Sequence, residues 1–337
     1  MNTPILSIIV PSYNMEAYLR RCVSSVVEAG QGDRVELLVV NDGSTDGTLR
    51  IAEELAAENP GVVVVIDKSN GHYGSCVNAG LRKATGRYVK VLDADDTVLT
   101  ENLGALLDTM AAIDSDVVCA PHFILDNGVH TETWGLDIPL GKVLNIDDVW
   151  NSQAAAGGWH QQLFYSLELV RGYKQKEHCL YTDMQWAFTP MMRARSIFGF
   201  DKPIYVYHRG RPGQSIDVEV HISNYMDELR VDMALLDDFS KGDFSTERMR
   251  MRCEYILNRT LKTDYKHYIL QALGDEQDLV DFDTELCERH PQWYERMATA
   301  RLTKHFPYYA IVGRWRANRS ALTVRLARAL FRMTHKR

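Results

Sequence analysis

Short apolar, β-branched runs recur through the first third of the chain, at Leu6 to Val10, Val35 to Val40, Val62 to Ile66 and Tyr88 to Leu92. Each has the length of a strand. Between them, Glu16 to Ala29, Asp46 to Glu58 and Ser75 to Ala84 carry apolar residues at helical spacing. Continuous apolar strands separated by helices predict a mostly parallel, Rossmann-like sheet covered on both faces. Two further strand-like runs, Val117 to Leu125 and Ile204 to His208, frame a less regular middle rich in Trp, Tyr and His. From about Ser223 the pattern turns helical, over Asn224 to Phe239, Thr246 to Ala272 and onward from about Arg319. The expectation is an α/β domain over residues 1–222 and a helical C-terminal extension over 223–337.

In such sheets ligands collect at the carboxyl ends of the strands. Four polar groups fall there: Pro11-Ser12-Tyr13-Asn14, Asn41-Asp42-Gly43-Ser44, Asp67-Lys68 and Asp93-Ala94-Asp95-Asp96. Three carboxylates packed at one strand end repel each other unless a cation or a hydrogen-bonded ligand sits among them. A divalent Mg²⁺ or Mn²⁺ that shares its shell between carboxylates and substrate phosphates answers that repulsion. The structural alternative is an acidic turn that caps the helix beginning near Glu101. Asp42 leaves its strand toward the ligand edge, where it can accept from a nucleobase N–H, whereas Asp46 reads as a helix cap. Tyr13, in the loop beside Asp42, reads as a stacking platform for the base.

Charge changes the picture at the C-terminus. From Arg301 to the end there are ten Lys plus Arg and no acid, so the remainder carries −17 against a total of −7. A helix there would put Arg325, Arg328 and Arg332 on one face and Leu322, Leu326, Leu330 and Met333 on another. Two readings stay open: an anionic membrane surface, or packing on the acidic body. Six scattered cysteines without a CxxC pair argue for a reducing compartment, and against a zinc site or a disulfide framework. No charged-then-apolar leader opens the chain, and no apolar run approaches the roughly 18 residues a membrane span needs. The expected place is the cytoplasm, peripheral to the inner face of the plasma membrane if the tail docks there. No feature points to nucleic acid.

The segments SIIVPSYNMEAYLRRCVSSV, ELLVVNDGSTDGT, NGHYGSCVNAGLRKATGRYVKVLDADD, YTDMQW and HRGRPGQS, in that order, resemble family 2 glycosyltransferases of the GT-A fold over about residues 5 to 217. The resemblance implies inverting transfer of a sugar from a nucleoside diphosphate donor, usually uridine, to a hydroxyl of a glycan acceptor in cell-surface polysaccharide synthesis. A lipid-linked acceptor follows if the tail meets a membrane. It also implies Mn²⁺ or Mg²⁺ as cofactor.

Residue by residue, Pro11, Tyr13 and Asp42, with Asn14 in the same loop, match the positions that hold the base. Asp93 and Ala94 match the start of the DxD signature facing the ribose, Asp95 its metal-binding acid, and Asp96 a second metal contact. Asp183 matches the catalytic base. His208, with phosphate or metal contact, and Arg209, Arg211, Gln214 and Ser215 match a loop over the diphosphate. One departure is Val77, where many members have Arg, which leaves the diphosphate to Lys68, Lys90 or the Arg209/Arg211 loop. Trp134, Trp159, His160, Tyr165 and Tyr181 suit either an acceptor cleft or core packing.

The chemistry needs these residue types. Loss of a nucleoside diphosphate from an anomeric carbon builds negative charge on the leaving phosphate, which cations stabilise. On the opposite face one carboxylate takes the acceptor proton, and a single displacement inverts the anomeric centre. A nucleotidyltransferase would want a Gly-rich cationic loop for a triphosphate, and a dinucleotide oxidoreductase GxGxxG after the first strand; neither is present. A non-catalytic nucleotide-sugar binder shares the same fold and stays open.

Overall fold

The computed structural model describes residues 3–156, 159–211, 214, 224–271, 275–302, 310–319 and 322–334. Two compact units emerge, Met1–Gln214 with Asp243–Arg252, and Ser215–Gly242 with Cys253–Arg337.

In the first unit, strand β1 (Leu6–Ser12) lies between β2 (Val35–Asp42) and β4 (Tyr88–Val91), with β3 (Val63–Lys68) outside β2. All four are parallel. Helices α1 (Leu19–Val27), α2 (Thr48–Glu58) and α3 (His72–Lys83) make the crossovers. Successive strand residues enter opposite cores: Ile8, Val10, Leu37 and Val39 belong to one cluster, Ile9, Leu38 and Val40 to the other. This is the period-two alternation of a sheet buried on both faces. Each such Val, Leu or Ile contributes roughly 1.5–3 kcal/mol of burial, so the parallel half is a firm base for loops. β3 departs from the fully buried strand its composition predicts. It is the sheet edge, and Val64 is 42% exposed.

Beyond β4 the sheet becomes mixed. β5 (Thr97–Val98) leads into α4 (Thr100–Ala112), and β6 (Val117–Cys119), β9 (Val143–Asn145), β10 (Leu163–Ser166) and β11 (Ser196–Gly199) complete the eight strands in the order β3-β2-β1-β4-β10-β6-β11-β9. β10 is antiparallel to both its neighbours. The expected single strand Val117 to Leu125 is broken at Ala120-Pro121. Pro121 has no N–H to give a ladder, so the chain leaves the large sheet and re-enters as β7 (His122–Asp126) in a second one. That sheet runs β5-β12-β7-β8, with β8 (Val129–Trp134) and β12 (Tyr205–Arg209). Helix α5 (Asp183–Arg193) precedes β11.

The second unit is helical among its described residues. It contains α6 (Tyr225–Ser240), the later part of α7 (Glu247–Tyr265), α8 (Glu276–Arg289), α9 (Pro291–Ala298), α10 (Ile311–Ala317) and α11 (Leu322–Thr334). A π-helical turn, Lys266–Gln271, ends the long run read from the sequence as one helix. No described helix is long and apolar enough to cross a membrane. Five cysteines are buried and Cys287 is exposed.

Candidate active site

The carboxyl ends of β1, β2 and β4 bring the first set of candidates together. Asp42 is 2% exposed, and its Oδ1 accepts from Lys68 Nζ at 2.5 Å and from the Gly71 amide at 3.0 Å. Lys68 Nζ also reaches Ser75 Oγ and the Ser69 carbonyl, so this cation neutralises Asp42. Gly43 turns the chain with φ +68°, and a Cβ there would meet the Asn70 amide at 2.9 Å. Asn14, itself left-handed at φ 54°, staples the β1 and β2 loops: its Oδ1 accepts from Thr45 N and its amide donates to Ser44 Oγ. Pro11 is buried within β1, while the Tyr13 ring is 47% exposed beside this rim.

The acids after β4 are held by different partners and do different things. Asp93 takes a hydrogen bond from Tyr73 Oη at 3.0 Å on one oxygen and lies 3.1 Å from His160 Nε2 on the other. Burial opposes its ionisation, but the charge of His160 and bonds from His160, Tyr73 and Tyr205 outweigh it and hold the carboxyl below its usual range. Asp96 is fully buried; Tyr205 Oη donates to one oxygen at 2.5 Å and the His208 amide to the other at 2.7 Å. Burial first, then the charges of Asp95 and Asp93, push it well above the carboxylate range. Ala94 is packed into the core at 2% exposure.

Asp95 faces the loop after β12. Its Oδ2 receives Arg211 Nε at 2.5 Å and Gln214 Nε2 at 3.4 Å. Gln214 in turn donates to the His208 carbonyl. The His208 ring lies 3.0 Å from Thr97 Oγ1, and burial followed by Arg21 depresses it to about 4, so it is neutral at pH 7. Among the described residues no three His, Cys, Asp or Glu side chains converge on a metal position. The donor chemistry still fits a divalent cation: a hard carboxylate already paired with a positive group, beside a neutral imidazole. Mg²⁺ ordinarily takes one or two carboxylates and completes its shell from phosphates and water. Arg209 points elsewhere, forked onto Asp126 at 2.7 and 2.9 Å. Ser215 lies outside the described residues.

Asp183 is the first residue of α5, and Thr182, not Asp183, is the N-cap. The approach loop is fixed from α3. Asn78 Nδ2 donates to the Gln175 carbonyl and to Glu177 Oε1, Asn78 Oδ1 accepts from the Gln175 amide, and Gln175 Nε2 donates to the Thr182 carbonyl. Gly74 is required here, because a Cβ would lie 1.9 Å from the Lys176 carbonyl oxygen. The Asp183 carboxyl is raised by desolvation; His160 opposes and Asp93 reinforces the rise. With 41% of the side chain accessible, solvent screens part of that effect.

Between the two acids sits His160, 8% exposed. Nε2 faces Asp93 at 3.1 Å and Nδ1 faces Asp183 at 3.6 Å. Its turn is carried by Lys90, which the sequence offered as a diphosphate contact. The structure buries Lys90 at 1% exposure and directs Nζ to the carbonyls of His160, Gln161 and Leu163, over the rings of Phe164 and Tyr205. Burial depresses its ammonium to about 7, against the pull of Asp93. Trp159, next to His160, is 48% exposed and meets Trp134 edge-on at 5.1 Å. Tyr165 is instead a core residue against Trp186. Tyr73 and Tyr205, which order the acids, carry weak sequence signals: Tyr73 lies within the NGHYGSCVNAGLRKATGRYVKVLDADD segment and Tyr205 in the strand-like run Ile204 to His208.

The family model for Glycosyl transferase family 2 matches residues 7–184. The chain is 40% identical over 145 residues to the minor teichoic acid biosynthesis protein GgaB of Bacillus subtilis (strain 168), covering 42% of this chain and 16% of GgaB. It is 24% identical to glycosyltransferase GlyG of Streptococcus pneumoniae, over 82% of this chain and 93% of that one. Among solved structures, S. aureus TarS 1-349 superposes with a TM-score of 0.66 at 19% identity over 98% of this chain and 92% of TarS, and its complex with UDP-GlcNAc with a TM-score of 0.58 at 21% identity, over 87% and 79%. That likeness agrees with the fold derived above.

Proposed function

Since this chain belongs to glycosyl transferase family 2, we propose that it transfers a sugar, with inversion, from a nucleoside diphosphate donor to a glycan hydroxyl. The observation that carries the reading is one line of side chains: Asp95 and Asp93 at the end of β4, and Asp183 linked to Asp93 through His160. Leaving-group chemistry and base chemistry thereby share one edge of the sheet.

Asp42, paired with Lys68, accepts from the base, and the exposed Tyr13 ring stacks on it. A uridine base suits this reading, as in the UDP complexes of TarS. Asp93 orients the ribose. Asp95 and the neutral His208 would hold Mn²⁺ or Mg²⁺, which supplies charge to the departing diphosphate when bound. Arg211 lies beside Asp95 to add a second positive group, with Gln214 beside it, whereas Arg209, at the end of β12, is held by Asp126. Asp96 spends both oxygens on Tyr205 and His208, so it supports the strand end from behind. Asp183 takes the proton of the attacking hydroxyl, and its raised affinity for protons suits a base. Trp159 offers a sugar-stacking face near that hydroxyl.

The acceptor we propose is a glycan of the cell surface, carried on lipid, in keeping with the teichoic acid biosynthesis named for GgaB. The support is α11, whose Leu322, Leu326 and Met333 stand 70%, 52% and 69% exposed on a helix that also exposes Arg325 and Arg332. The deciding experiment is release of nucleoside diphosphate from a panel of nucleotide sugars, with and without Mn²⁺. A selective, EDTA-sensitive release supports the reading. Binding of a donor without release, in the presence of teichoic or other polymer acceptors, would favour a non-catalytic binder.

A further inference from the structure

The Asp183 side chain is 41% exposed at the first turn of a helix, and its carboxylate takes only local hydrogen bonds, from its own amide and from that of Met184. A base must present one lone pair within hydrogen-bond reach of a particular hydroxyl, and a misplacement of about 1 Å costs on the order of 10²-fold in rate. The charged side chain that faces the Asp183 carboxylate in an ion-pair contact is His160, with Nδ1 at 3.6 Å.

We propose that His160 is a positioning residue for the reaction, an imidazolium clamped between Asp93 and Asp183 that holds the Asp183 carboxylate in its working orientation and ties it to the acid facing the ribose. This rests on the reading of Asp183 as the base. A neutral imidazole has one N–H and one lone pair, so one of the two carboxylates would face a lone pair. Two facing carboxylates are matched by two N–H groups, and only the cation has them.

The clamp is itself built. Its ring sits on the turn His160–Gln162, whose carbonyls at His160 and Gln161 accept from Lys90 Nζ at 3.2 and 2.8 Å. Lys90 lies on β4, three residues before Asp93. One strand therefore fixes both the first acid and, through a buried ammonium, the imidazole that reaches the base. Tyr205 closes the other side edge-on, 6.3 Å between ring centroids. The charged or titratable groups around the imidazole are thus Lys90 and Asp93 from the β4 segment, Asp183 from α5, Tyr205 from β12, Tyr73 from α3 acting through Asp93, and His122 from β7.

The test uses the full chain and a donor found to be turned over. His160→Gln keeps shape and one donor but neither the charge nor the bridge. Its kcat is expected to fall about 10- to 100-fold, while UDP affinity and the donor KM stay within about threefold of the parent. Because Asp183 loses the positive charge facing it, the acid limb of the kcat–pH profile moves to higher pH. Added imidazole restores part of the activity of His160→Ala. Lys90→Met, which leaves His160 in place but unanchored, lowers kcat in the same direction.

A folded His160→Gln enzyme with unchanged kcat and an unmoved acid limb overturns the inference. Should His160→Gln fail to fold, absence of imidazole rescue in His160→Ala together with a parent-like Lys90→Met does so. Asp183→Asn separates the two levels. If it retains turnover, the base assignment itself is wrong; if it is inactive while His160→Gln is normal, the clamp alone fails.

Discussion

Arg211 Nε stands 2.5 Å from Asp95 Oδ2, and its guanidinium also lies over the Tyr18 ring, 5.6 Å from the centroid. A cation thus already sits on the carboxylate proposed to take the metal. With the Asp95 side chain 12% exposed, leaving that charge unpaired would be costly, so the ion pair explains how the strand end tolerates its acids without donor. Competition follows. Asp95→Asn is expected to abolish Mn²⁺-dependent UDP binding. Arg211→Ala is expected to bind Mn²⁺ alone more tightly yet bind UDP more weakly, because one phosphate contact is gone. Calorimetric titration of Mn²⁺ and of UDP, each with and without the other, reads both effects. UDP binding indifferent to Mn²⁺ in the parent would remove the metal from the site.

Asp183→Asn keeps the side chain's shape and removes its basicity. Nucleotide affinity should hold, and transfer should drop by about 10²- to 10⁴-fold. In the parent, activity requires ionised Asp183, whose proton affinity is raised by desolvation and by Asp93. Transfer should therefore be lost as pH falls through a value above the ordinary aspartate range near 4. Single-turnover rates across pH 4–8 check this. A rate that is flat over that span would point to another base.

Much of this site was legible because its parts sit where a strand stops. Asp42 and Asp93 each follow an apolar run that can only be a buried strand, and a carboxylate placed there has few structural reasons. Asp183 needed the family pattern, since an acid in a first helical turn is ordinary. His160 and Lys90 were not legible as a pair. They are 70 residues apart, and they meet because β10 enters antiparallel beside β4, a pairing that no local periodicity encodes. A lysine inside an apolar strand reads as a surface or ligand contact until the carbonyls that surround it are seen. The break at Pro121 had a local signal, whereas the assignment of β7 to a second sheet depends on β12, some 80 residues on.

The exposed face of α11 makes a separate claim. Val324, Ala327 and Phe331 are buried, and Arg328 Nε donates to the Ile269 carbonyl at 2.7 Å, so one side of this helix belongs to its own unit. Arg328 thus leaves the basic face drawn from the sequence. What stays outward is Leu322, Leu326 and Met333 with Arg325 and Arg332. Replacing those three apolar residues by Ser spares the packed side. Sedimentation with phosphatidylglycerol vesicles should show binding weakened by about tenfold or more, with salt weakening the parent's binding as well, and release of nucleoside diphosphate in solution should be unchanged. Equal vesicle binding by parent and variant would reject the membrane role.

A last expectation concerns stability. Asp232 and Asp264, on α6 and α7, are 4% and 3% exposed, with their carboxyls close enough to interact. Two buried carboxyls in contact cannot both ionise, and burial raises both, with the charge of Asp232 adding to the rise at Asp264. The native state therefore keeps a proton that the unfolded chain releases above about pH 4. Proton uptake by the native state means stability falls as pH rises from there, until the native pair itself ionises. Asp264→Asn supplies an N–H to Asp232 without needing that proton. Its Tm near pH 7.5 should exceed the parent's by about 2–8 °C, and its decline between pH 4.5 and 7 should be shallower. Thermal scans of the two proteins across that range measure the difference, and parallel curves would mean that the pair does not hold a proton in the folded state.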